Sequence, residues 1–133
     1  MFRYHRLLAA LSVGACLVQL ASAQTPPRKV VHVVAERFAF MPSEIVVEQG
    51  TLLEIRLQSD DTNHGFRITG TKTNVIIPKR GRGTIPVLFD ALTPGRFTFE
   101  CSKMCGAGHT MMKGAIVVKP RADRQPPAAH PDR

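Results

Sequence analysis

The sequence predicts an all-β fold, a sandwich or barrel, on three observations. Short segments rich in β-branched or alternating apolar residues recur along the chain. Turn-forming residues interrupt them roughly every eight to twelve positions, the spacing typical of sandwiches. No stretch carries a helical period. A chain of 133 residues can bury one respectable core and is too short for two domains of ordinary size. With 44% hydrophobic and 21% charged residues, the composition fits a compact, turn-rich protein better than a disordered or membrane-spanning one. The absence of Trp leaves the core to aliphatic side chains and Phe.

The first six residues carry Arg3 and Arg6 and lead into the apolar run Leu7 to Leu20, which ends in Ala21-Ser22-Ala23. A positive start, an apolar middle and a small-residue end predict a secretory signal over 1–23, cut after Ala23. The run is shorter than the roughly 20 apolar residues a spanning helix needs, so no membrane span is expected after cleavage. Anchoring by an uncleaved signal is one alternative. A lipid on Cys16, which follows Val13-Gly14-Ala15, is another, and the still-apolar Leu17 to Leu20 argues against it. The expected location is periplasmic or otherwise exported, and soluble. Cleavage removes two arginines and no acidic residue, lowering the formal charge from +8 to +6. A basic exported protein suits an acidic partner or an anionic surface. Nucleic acid is a poor partner, because the basic residues are scattered and no recognition motif is present.

Residues 24–28 read as a linker, a folded domain is expected over 29–119, and 120–133, made of Pro, Ala and charge, reads as a disordered tail. Lys29 to Ala35 is Val-rich and too short for a helix, hence a strand. In 37–42 two aromatics alternate before Pro42, then Glu44 to Glu48 leads to a turn at Gln49-Gly50. Thr51 to Leu57 places Leu53, Ile55 and Leu57 on one face and Glu54 and Arg56 on the other, the pattern of a half-buried strand in an antiparallel sheet. Ser59 to Asn63 is a polar loop, after which His64, Phe66 and Ile68 share a face of another strand. Residues 69–83 read as turns around an apolar island, Val75-Ile76-Ile77, and a basic run, Lys79 to Arg82. The default for such a run is a solvated loop; contact with a partner is the alternative. Thr84 to Phe89, Arg96 to Glu100 and Gly114 to Lys119 complete the strands.

Between the last two lies Cys101-Ser-Lys-Met-Cys105-Gly-Ala-Gly-His109-Thr-Met111-Met112. Thiolate, imidazole and thioether donors in one loop suit copper. Gly106 and Gly108 let the loop turn tightly, and His64, at a strand end, can be brought alongside. Three alternatives stand beside this reading. Cys101 and Cys105 could form a disulfide in an oxidising compartment. Zinc could use two thiolates and two imidazoles, with no task for Met112. A mononuclear blue-copper site could use His64, Cys105, His109 and Met112, with no task for Cys101. Met104 and Met111 read as packing or exposed neighbours, and His32 and His130 as structural or solvated.

The spacing Cys, three residues, Cys, three residues, His, two residues, Met resembles the copper loop of the CuA domain of cytochrome c oxidase subunit II and of nitrous oxide reductase. Phe38 to Gly50 and Asn63 to Phe66 resemble the front half of cupredoxin-type domains, so the similarity covers roughly 29–119. It implies a Greek-key cupredoxin sandwich and a binuclear copper site. In that site Cys101 and Cys105 bridge two coppers, His64 and His109 each ligate one, Met112 is a weak ligand, and the backbone carbonyl of Lys103 is the last donor. The family usually has Glu at the position of Lys103. A carbonyl ligand survives that change, while the carboxylate's role at the main oxidase subunit does not. The signal segment and the lack of Trp set the chain apart from a standard subunit II and point to a stand-alone relative.

No group is placed for acid–base or nucleophilic work on a substrate, so the expected function is electron transfer, alone or as a subunit-like part of a terminal oxidase or reductase system. The expected partner is a redox protein, acidic in character, such as a c-type cytochrome or a terminal oxidase. Copper delivery or storage would use the same ligands with exchangeable metal.

Overall fold

The computed structural model describes residues 25–122. The expected signal segment 1–23, Cys16, and 123–133 with His130 lie outside the described residues. Nine strands form two sheets. The first runs in the order β2 (Ala39–Met41), β1 (Arg28–Glu36), β4 (Leu52–Ser59), β7 (Ile85–Asp90). The second runs β3 (Glu44–Glu48), β9 (Lys113–Lys119), β8 (Gly95–Glu100), β5 (His64–Ile68), β6 (Asn74–Ile77). A short 3-10 turn, His109–Met111, is the only regular element inside the loop between β8 and β9. The all-β sandwich expected from the sequence is the fold observed.

Alternation does what the residue pattern demands. Val33, Ala35, Leu53, Ile55, Leu57, Val87 and Phe89 of the first sheet meet Ile45, Val47, Phe66, Ile68, Phe99, Ile116 and Val118 of the second in one buried core. Phe40, Phe66 and Phe99 form an aromatic cluster with centroids 5.1–5.6 Å apart. Edge-to-face pairs such as Phe40 with Phe66 add about 0.5–1.5 kcal/mol each beyond their burial. Phe66 lies two residues after His64 and Phe99 two before Cys101, so the cluster shares the inward face with those residues. Cys101, Cys105 and Met112 belong to the same core.

Three features differ from the sequence expectation. First, β4 is antiparallel to β7 but parallel to β1, from Arg28 opposite Leu52 to Ala35 opposite Ser59. Between β1 and β4 the chain crosses to the other sheet as β3 and returns in the original direction, which alternation alone does not encode. Second, the apolar island in 69–83 is part of a strand, β6, antiparallel to β5 with His64 opposite Ile77. It is an edge strand in which only Ile77 is buried, so its pattern is weak. Third, Glu54 is buried, not solvent-facing. Arg56 Nε donates to it at 2.8 Å and the Arg28 guanidinium to its other oxygen, a pairing that makes burial of the charge tolerable.

The hydrogen bond from Arg56, then that from Arg28, hold the Glu54 carboxyl below its ordinary value of 4.5. A depressed folded value means that this contribution to stability is complete above that ordinary value and drains away as pH falls through the folded one. Glu54→Gln should therefore flatten the acid limb of stability against pH below about 4.5, as read by urea melts across that range.

Strand direction gathers four segments at one end of the sandwich. β1 and β4 run parallel into the Arg37-Phe38 corner and the loop 60–63. β6 ends beside His64, leading into loop 78–84. β8 runs up to Glu100 and into loop 101–112.

Candidate metal centre

The six residues singled out by the sequence converge at this end. His64, wholly buried at the head of β5, points Nδ1 at Cys101 Sγ, 4.0 Å away. The two sulfurs stand 3.9 Å apart, both cysteines are free, and a disulfide would need about 2.05 Å. Cys105 Sγ lies 3.8 Å from His109 Nδ1 and 3.9 Å from Met112 Sδ. The Lys103 carbonyl oxygen is 3.1 Å from Cys101 Sγ. Each sulfur thus has one imidazole nitrogen and one weaker donor beside it. Donors that share an ion at about 2.0–2.3 Å stand about 3–4 Å from each other, and these distances have that scale. Donor atoms of His64, Cys101 and Cys105 all fall within 4.8 Å of one another. Met104 and Met111 are exposed, as is His32.

The electrostatics disfavour bare thiolates. Burial first, and then the neighbouring Cys101, push the Cys105 thiol up to about 11. The cation that this pair accepts must displace protons.

Around the donors lies a supporting layer that the sequence did not announce. Asp61 Oδ1 accepts a hydrogen bond from His64 Nε2 at 2.7 Å, which leaves Nδ1 free to face the sulfur. Burial works to raise the Asp61 carboxyl, but hydrogen bonds from His64, the Thr62 N–H and the Arg37 N–H outweigh it and keep it below the usual carboxylate range. Arg37 also donates from Nε to the Cys105 carbonyl at 2.9 Å. One residue therefore ties the His64 side to the cysteine loop. The backbone N–H of Gly65 donates to Cys101 Sγ at 3.4 Å, and Cys101 N–H donates to the Met112 carbonyl at 3.0 Å, closing the loop mouth. The signal for Asp61 was a carboxylate three residues before a candidate ligand; Arg37 had none.

The two loop glycines have different reasons. Gly106 sits at φ +142°, a backbone region glycine favours. Gly108 has an ordinary φ of −91°, and its need is for space, since a Cβ there would run into the Phe38 ring.

The donor set fits copper. Two thiolates, two imidazoles and a thioether are soft or intermediate donors, with one carbonyl beside them, and the Asp61 carboxylate faces the far nitrogen of His64 instead of the sulfurs.

A family model for the cupredoxin-like domain matches residues 7–118. The chain belongs to the cupredoxin-like family. It is 37% identical over 100 residues to cytochrome c oxidase subunit 2 of Thermus thermophilus, covering 74% of this chain and 73% of that one. Against the same-named protein of a second Thermus thermophilus strain the identity is again 37%, and the chain spans 58% of that relative's length. Among solved structures, a chain of a heme-copper terminal oxidase dimer superposes with a TM-score of 0.61 at 31% identity, covering 71% of this chain and 65% of that chain. The periplasmic domain of subunit II of cytochrome oxidase from Bradyrhizobium japonicum gives a TM-score of 0.62 at 18% identity over 71% of this chain and 86% of the domain, a likeness of fold. The protein is thus a cupredoxin of the oxidase subunit II kind, with a His, Cys, Cys cluster suited to copper. No helix among the described residues is long and apolar enough to cross a membrane.

Proposed function

We propose that the protein is an exported one-electron carrier holding a binuclear copper centre of the CuA type. Cys101 and Cys105 would bridge the two ions through their sulfurs. His64 with the Lys103 carbonyl would complete one ion's ligand set, and His109 with Met112 the other's. The single observation that carries this reading is the paired arrangement: each sulfur has its own imidazole and its own weak donor at 3.1–4.0 Å. A mononuclear blue site would leave Cys101 and the Lys103 carbonyl surplus; zinc would leave Met112 and the carbonyl surplus.

Bound there, two coppers bridged by thiolates would supply a centre that takes up or releases one electron shared between both metals. The protein's part is to hold its ligands still while the charge changes. Asp61 fixes the His64 ring, Arg37 fixes the Cys105 carbonyl, and the strands fix the loop ends. His109 is half-buried while His64 is enclosed, so the loop side is the route by which an electron reaches a partner. The partner class is a c-type cytochrome or a terminal oxidase, with this chain a carrier or a subunit-like part of that system.

The test is anaerobic copper loading of the reduced protein, followed by metal analysis, optical absorption and electron-spin resonance. Two coppers per chain and one unpaired electron shared by both nuclei are expected. One copper with a blue mononuclear spectrum would replace the reading, no uptake would end it, and rapid loss to a mild chelator would move the function to copper delivery.

Asp61→Ala should leave the ligands in place but free the His64 ring. Loss of such a supporting partner typically lowers metal affinity about 10–100-fold, which competition with a chelator of known affinity would measure. Unchanged affinity would remove Asp61 from the site.

A further inference from the structure

The ion pairs of this protein are unevenly distributed. Several basic side chains are matched, Arg28 and Arg56 with Glu54, Arg96 with Glu44, and Arg67 and Lys113 with Glu100 beside the cysteine loop, while Lys29, Lys72 and Lys119, towards the other end, are in no ion pair among the described residues. At the metal end Arg37 faces Asp61, but a group of other cations has no such match. Lys79, Arg80, Arg82 and Lys103 are all exposed, and none takes part in an ion pair among the described residues. Asp61 turns its carboxylate inward to His64, Thr62 and Arg37, leaving Glu36 and Asp60, which shares a surface recess with Arg80, as exposed acids of this end.

The basic run is fixed to the site by its backbone. Lys79 N–H donates to Asn63 Oδ1 at 2.7 Å, and Arg80 N–H to the Asp61 carbonyl at 3.3 Å, so loop 78–84 is tied to the loop that carries His64. Across the site, Lys103 belongs to the cysteine loop, and a Cβ on Gly65 would lie 2.6 Å from its backbone nitrogen. Beside the half-buried His109, Met104 and Met111 are 74% and 80% exposed. Exposed thioethers on the cysteine loop and unmatched cations on the same end of the sandwich supply the parts of a transient interface: an apolar region for contact and charges for steering.

We infer that Lys79, Arg80, Arg82 and Lys103, around Met104 and Met111, form the docking face for an acidic redox protein. This rests on the electron-carrier reading and goes beyond it by assigning the face and the sign of its partner. Charge complementarity selects the partner, and the apolar centre beside His109 favours a protein over a lipid surface.

The reduced, copper-loaded protein is mixed with hexacyanoferrate(III), an anion, or tris(phenanthroline)cobalt(III), a cation, each accepting one electron from the protein. Added salt should slow the anionic reaction and speed the cationic one. Combined Lys79→Glu, Arg80→Glu and Arg82→Glu should slow the anionic reaction about tenfold at low salt, within the range steering supplies. Lys72→Glu with Lys119→Glu, at the opposite end, should change it by less than about twofold. The tested side chains are exposed and their loop is held by backbone N–H groups, so the fold should survive; Arg82→Glu alone should give part of the effect. Equal sensitivity to both sets of substitutions, or a preference for the cation, overturns the inference.

A second arm needs no metal. Nuclear magnetic resonance titration of the metal-free protein with a poly-glutamate peptide should shift residues 79–82 and 101–112. Shifts elsewhere, or binding of phosphatidylglycerol vesicles with no response to the peptide, would overturn it in favour of another face or a lipid surface. A protein that binds the peptide here but never loads copper would sink the electron-carrier reading while keeping the basic docking face.

Discussion

Cys101→Ser should bring the copper content from two per chain to at most one and abolish the spectrum of a shared electron. Cys101 Sγ is the atom on which the half-site with His64 depends: it is 4.0 Å from Nδ1, 3.1 Å from the Lys103 carbonyl and 3.9 Å from Cys105 Sγ. A serine oxygen is harder, sits on a shorter bond and is not deprotonated by a soft cation as a thiol is. What remains is Cys105, His64, His109 and Met112, a thiolate, two imidazoles and a thioether, so a single copper bound there should be blue. The reciprocal Cys105→Ser should behave differently. It leaves His64, Cys101 and a carbonyl with no thioether, because Met112 lies beside Cys105. Any residual copper in that variant should lack the blue-site character. Metal analysis with electron-spin resonance on both variants separates the outcomes. If Cys101→Ser kept the parent spectrum, the bridging assignment would be wrong.

Much of this was legible before any coordinates because the ligand loop is local. Five of the six candidate donors lie within the twelve-residue span from Cys101 to Met112, and two strand ends fix both its termini. His64 could be nominated because a strand end on a sandwich is a place from which to reach such a loop. The supporting layer was not legible, because its contacts join distant positions: Arg37 reaches Cys105 across 68 residues. Nor does Phe38 advertise that Gly108 exists to leave room for its ring. At the level of the fold, burial alternation located most strands, but pairing direction depends on which sheet the chain visits between two strands. That choice made β1 and β4 parallel. Glu54 shows the limit of alternation most directly. It occupies the face expected to be wet, and two arginines cover it there.

Gly65→Ala should damage the fold and the site together. Gly65 does not have a positive φ, so alanine fits its backbone and the obstacle is space alone. A Cβ would sit 2.6 Å from Lys103 N and 2.7 Å from Ser102 N, and would collide with Ser102 Oγ. Ser102 could swing its hydroxyl aside, giving up its 2.7 Å hydrogen bond to Asn74 Oδ1. The two backbone nitrogens have no such freedom. Loop 101–112 must therefore retreat from β5, and the retreat stretches the Gly65 N–H to Cys101 Sγ contact, the Lys103 carbonyl position and the gap between His64 and Cys101 at once. Overpacking of this kind typically costs about 1–3 kcal/mol, so the urea midpoint of the metal-free protein should fall. Copper affinity should fall by more than about tenfold, a separation of ligands costing at least as much as loss of a supporting partner. Gly70→Ala is the contrast. It has φ +79° and nothing within 4 Å of a Cβ, so it should carry only local backbone strain and leave copper binding intact. If Gly65→Ala matched Gly70→Ala in both stability and affinity, the close seating of the cysteine loop on β5 would not be what sets the ligand geometry.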